Sequence, residues 1–91
     1  MTSADLLSML KVDLGITTTA YDTRLRQLLE SAQAQIIEEG AADFAPLSFI
    51  QDAQLEVMYA AWMWRKRDTM DGMPRMVRYA LNNRIFRGKT E

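Results

Sequence analysis

The stretch SFIQDAQLEVMYAAWMWRKR, residues 48–67, constrains this chain more than any other. Ile50, Ala53, Val57, Ala61 and Trp64 recur at helical spacing and define one apolar stripe. Leu55, Met58 and Trp62 define a second stripe roughly on the other side, and Tyr59 and Met63 widen the coverage. A helix that is apolar nearly all round has to be covered on more than one face. The whole chain has only 91 residues, and a chain of that size buries little more than about 60% of its unfolded surface. A subunit interface is therefore the natural expectation for whatever covers the second face.

Glycine and proline cut the rest into three more helical pieces. Near the N-terminus, Thr2 and Asp5 form a capping-box pattern, Leu6, Leu7 and Leu10 share a face, and Gly15 is a stop. The next piece opens on a second capping-box pattern, Thr19 with Asp22. It carries the stripe Tyr21, Leu25, Leu28, Leu29, Ala32, Ile36 and stops at Gly40. A linker containing Pro46 leads to Ser48, which the pattern makes the cap of the third helix with Gln51 at the box position. Pro74 opens a fourth helix, with Met76, Val77, Ala80 and Leu81 expected inside and Arg75, Arg78, Asn82 and Asn83 outside. The expected fold is all-α, a single domain over 1–91. It is a small bundle of about four helices near 3–13, 20–39, 48–67 and 74–87, with two long central helices, a short N-terminal helix and a C-terminal one.

Composition removes several function classes. The chain has no cysteine and no histidine, so thiolate nucleophiles, Ser-His-Asp triads and ordinary zinc sites are excluded. No glycine-rich phosphate loop or calcium-loop pattern is present. No catalytic residue, cofactor or metal ligand is assigned, and the chain is not expected to be an enzyme. No apolar run reaches the roughly 18 residues of a membrane span, and MTSADLLSML lacks the basic start of a signal peptide. Neither a membrane association nor export is expected.

Charge is unevenly spread. Residues 1–63 hold three basic and nine acidic side chains, a net of −6, whereas residues 64–91 hold eight basic and three acidic ones, a net of +5. Such a dipolar chain is suited to bind a partner through one end, or copies of itself head to tail. The candidate contact residues lie in the basic half: Trp62, Trp64, Arg65, Lys66, Arg67, Arg75, Arg78, Arg84, Phe86 and Arg87. The two tryptophans leave a helix about 200° apart, so both are not expected to face one core within the chain. Either Trp64 is core and Trp62 covers a shallow groove, or one tryptophan anchors a subunit contact; stacking on bases is the third reading. Arg65-Lys66-Arg67 complements the helix dipole, docks on an acidic surface or meets DNA. Arg75 and Arg78 either pair with Asp68 and Asp71 or receive acids of a neighbouring subunit. The end from Arg84, with Phe86, Arg87 and Lys89, reads as a solvated tail, or as a docking element whose deletion leaves the fold intact and abolishes the docking.

Three stretches taken together carry a resemblance. They are LLSMLKVDLGITTTAYDTRLRQLLESAQAQI, then LEVMYAAWMWRKRD, then MPRMVRYALNNRIF with its Met-Pro-Arg start and Asn-Asn pair. In that order, over most of a chain this long, they resemble the head–tail connector, or DNA-packaging adaptor, family of long-tailed phages and prophages. The resemblance implies a structural, non-enzymatic helical subunit that assembles into a homo-oligomeric ring. It implies docking under the portal protein, reception of a head-closure or tail protein, and a channel that DNA crosses without sequence readout. The implied location is the virion neck, reached from the host bacterial cytoplasm during assembly. Some members carry an insertion between the long helices; here the linker from Ala41 to Leu47 leaves room for a minimal one. Two other functions compete with this one: a small helical DNA-binding module, weakened by a net charge of −1 and a pI near 5.4, and a generic helical adaptor for another protein.

Overall fold

A computed structural model of the chain describes residues 2–66 and 72–89. It is an all-α bundle of four helices: α1 (Ser3–Leu14), α2 (Asp22–Glu38), α3 (Ile50–Lys66) and α4 (Arg75–Lys89). The third helix is central. α3 packs on α1, on α2 and on α4, while α1 and α2 also touch each other. The requirement that α3 be covered on several faces is thus met mainly inside the chain, because three helices share the task. The molecule is only 17 Å across its thinnest direction, about two helix layers, so the cover over α3 is incomplete.

Local chemistry explains α1 fully. The Thr2 backbone N–H donates to Asp5 Oδ2 at 2.8 Å and the Asp5 N–H donates to Thr2 Oγ1 at 3.3 Å, a reciprocal capping box. Gly15 closes the helix in the left-handed region at φ 72° and ψ 27°, where a side chain would be strained. Its N–H and that of Ile16 reach back to the Val12 and Lys11 carbonyls.

The other two expected caps are not formed. α2 starts after Tyr21 with no side-chain cap; Asp22 instead accepts a 2.8 Å ion pair from Lys11 Nζ, which ties the first helix to the start of the second. α3 begins at Ile50, and the backbone of Ala45, rather than the Ser48 side chain, organises its entry. The Ala45 carbonyl accepts from the Ser48 and Phe49 N–H groups, and the Ala45 N–H donates to Asp52 Oδ2 at 2.9 Å.

The core joins Leu6, Leu7 and Leu10 of α1 to Leu25, Leu28, Leu29, Ala32 and Ile36 of α2, and to Ala53, Val57, Ala60 and Ala61 of α3. Val77 and Leu81 dock α4, but Met76 is 77% exposed, against the expectation that it is buried. The helical phase explains this. The inward arc of α4 runs through Val77, Leu81 and Arg84, at spacings of four and three, and Met76 shares the outer arc with Tyr79 and Phe86. α4 also continues to Lys89 rather than ending near residue 87. Among the described residues no helix is long and apolar enough to cross a membrane.

Candidate functional site

An open groove runs along α3 between α1 and α4. Its floor is the second apolar stripe of α3. Met58 lies at the junction of three adjoining hollows, of about 550, 380 and 420 Å³. Gln54 links the first two hollows, and Leu55 and Trp62 continue the floor on either side. Ser8, Met9, Val12 and Asp13 form the α1 wall, and Met76, Val77, Ala80 and Asn83 belong to the α4 wall. The groove exists because α1 and α4 flank one face of α3 without closing over it. Val12, 83% exposed at its lip, is an apolar side chain with no cover of its own. A trough walled by methionine and aliphatic side chains is the surface on which an amphipathic helix docks.

Trp62 is half-buried in this trough. Its ring stands edge-on to Tyr59, with centroids 5.5 Å apart, and the Lys66 ammonium lies 4.3 Å above it. Its indole Nε1 is buried and has no hydrogen-bond partner among the described residues. An unsatisfied buried donor costs about 1–3 kcal/mol. Trp64 leaves the helix on the other side and meets Tyr21 edge-on at 5.4 Å. Both tryptophans therefore pack against the core of their own chain, Trp64 from the Tyr21 side and Trp62 in the shallow groove, which is the first of the sequence readings. This is possible because α3 packs on α1, α2 and α4, so side chains on different faces of it meet the core.

The basic half folds back on the acidic half. Arg65 of α3 reaches Asp13 of α1, with 3.6 Å to the carboxylate and 3.4 Å to the carbonyl oxygen. Arg78 pairs at 3.0 Å with Glu39, at the end of α2; Asp68 and Asp71, the expected partners, lie outside the described residues. Arg84 is 8% exposed. It grips Asp52 and reaches Asp43 at 3.2 Å. Part of the −6/+5 division is thus engaged within one chain, at Arg65, Arg78 and Arg84.

Of the other candidate contact residues, Arg75 is exposed beside Pro74, and Phe86 is exposed on the outer arc of α4. Arg87 donates to Gln51 Oε1 at 2.9 Å across the groove end. Lys66 caps Trp62, and Arg67 lies outside the described residues. Arg84 is no surface residue at all. The groove thus gathers Trp62, Arg65, Lys66 and Arg87, with the buried Arg84 at its edge, but not Trp64, Arg78 or Phe86.

Two buried acids were missed from sequence. Asp52 looks like an ordinary first-turn acid. Burial opposes its ionisation, but the Arg84 hydrogen bond, the Ala45 N–H and the Arg84 charge outweigh that and hold it below the usual carboxylate range. Glu56 is 1% exposed. Burial alone pushes its carboxyl up to about 7, and its Oε1 has no hydrogen-bond partner among the described residues. Its position three after Ala53 and four before Ala60, both fully buried, was the available signal. Among the described residues no group of three acidic side chains is placed to hold a metal ion. The chain matches no protein-family model, no curated protein and no solved structure.

Proposed function

We propose that this chain is a structural subunit of a phage or prophage head–tail junction. In this reading it assembles with copies of itself into a ring that joins the portal to the neck or tail and leaves a channel for DNA. It performs no catalysis and works in the virion neck. The reading starts from the resemblance of the three helical stretches. The observation that carries it further is the uncovered groove over Met58 and Trp62, which calls for a helix from another chain.

A second feature supports ring growth. Leu47, Phe49 and Ile50 form an exposed apolar corner where α3 begins. The corner lies at the N-terminal entry of α3 and Met58 about two turns further along the helix, so the corner and the middle of the groove are separate surfaces. Two different apolar surfaces on one subunit favour head-to-tail contacts, which close into rings when the rotation allows. The DNA-binding alternative loses ground, because Arg65, Arg78 and Arg84 are engaged by acids of the same chain. Electron microscopy of the concentrated protein tests the proposal. Annular particles with an open centre are expected; a monomer that shifts with duplex DNA in a salt-dependent way contradicts it.

A further inference from the structure

On the side of α3 away from the Met58 groove, a small cleft of about 150 Å³ lies between α1, α2 and the linker. Leu6, Leu29 and Leu47 supply apolar walls, and Glu56 lines the cleft as its one buried polar side chain. Arg26 and Glu30 of α2 also line it and are opposite in sign, so the charge left over is that of Glu56. The face that α1 contributes, through Ser3 and Leu6, carries no titratable group. Burying a carboxyl with no hydrogen bond or ion pair is costly, and among the described residues Glu56 Oε1 has no partner that compensates it.

We propose that this cleft is a socket for a primary ammonium group on a short alkyl stem, with Glu56 as its counter-ion. Three features fix the ligand class. The volume matches about five water-sized groups, which suits a four-carbon stem and its head. The leucine walls take the methylenes, as apolar surfaces do for lysine stems elsewhere. With Oε1 sealed from solvent, the carboxyl offers a ligand at most one oxygen. That favours a compact ammonium over the two-pronged guanidinium. The ammonium is carried either by a small free amine or by a lysine side chain of a partner.

The site also has a built-in pH dependence. Only the ionised carboxylate attracts the cation, and Glu56 titrates near 7. Ammonium affinity should therefore rise about tenfold from pH 6 to pH 8. The test is a titration of the full chain, with glutamate carboxyl carbons labelled for NMR, against n-butylammonium chloride at constant ionic strength. A saturable movement of the Glu56 resonance at pH 8, weaker by that factor at pH 6 and absent with n-butanol, is expected. Glu56→Gln should abolish binding, and Leu47→Trp, which fills the mouth, should weaken it while Glu56 still titrates near 7. N-acetyl-lysine N-methylamide serves as a second probe. If it binds, a lysine side chain reaches the socket; if the simple amine alone binds, the socket is one for small amines. No saturable movement with either probe, or equal binding by Glu56→Gln, overturns the proposal.

Discussion

Arg84 of α4 holds Asp52 of α3 through two hydrogen bonds, Nε to Oδ1 at 2.7 Å and Nη2 to Oδ2 at 3.2 Å, between side chains 9% and 3% exposed. Asp52 in turn accepts from the Ala45 N–H. One carboxylate therefore fixes both the docking of the last helix and the entry of the linker into α3.

Removing one partner should be far worse than removing both. Arg84→Met leaves Asp52 buried without its cation and should cost about 3 kcal/mol, read as a lower urea midpoint at unchanged slope. The double variant Arg84→Met with Asp52→Leu should recover part of that loss. Deleting the chain from Arg84 onward should unfold or undock α4. Sequence reasoning assigned this end to a removable tail, and a truncated chain as stable as the intact one would count against the pairing described.

Glu56 and Asp52 pull stability in opposite directions with pH. Asp52 is held below its ordinary value, so its contribution is present above about pH 4 and fades as pH falls through its folded value. Glu56 is raised from 4.5 to about 7. The unfolded chain gives up its proton first, so stability declines as pH rises from 4.5 and levels off above 7. The shift corresponds to about 3 kcal/mol. Denaturation curves should show greatest stability in mildly acidic solution. In Glu56→Gln the decline toward pH 8 should largely vanish.

Gly40 should not tolerate alanine. Its φ is 132°, a region that L-residues rarely adopt, and an added Cβ would lie 3.2 Å from Ile85 Cγ2. Strain and crowding together should cost about 1–3 kcal/mol, measurable as a fall in Tm. Gly15→Ala, with open space around its Cβ, should cost only the left-handed strain, about 1 kcal/mol.

Much of the fold was legible because it rests on local rules. The four helices, the Thr2–Asp5 box, the Gly15 stop and the α2 stripe from Leu25 to Ile36 follow from period and capping, whereas Tyr21, expected on that stripe, precedes the helix and is half exposed. What escaped depends on the third dimension. Asp22 was read as half of a capping box because nothing local signals that Lys11 lies within reach. Arg84 was read as surface because arginine usually is, although its spacing from Val77 and Leu81 already placed it on the buried arc. Trp62 was singled out from sequence, but its groove became visible only once α1 and α4 were in position on either side. The charge division was plain in the sequence, yet whether it is spent within a chain or between chains is decided by topology.

The groove makes the most direct prediction about assembly. Met58→Glu places a charge in the middle of an apolar trough that is already partly solvent-accessible, so the fold should survive with unchanged helical circular dichroism. Phe49→Glu, at the corner where α3 begins, should act the same way, because head-to-tail contact uses both surfaces. The decisive measurement is the native mass of the wild-type chain and of Met58→Glu at matched high concentration. A closed multimer for the wild type and a folded monomer for the variant is the predicted result; identical masses for the two would contradict it.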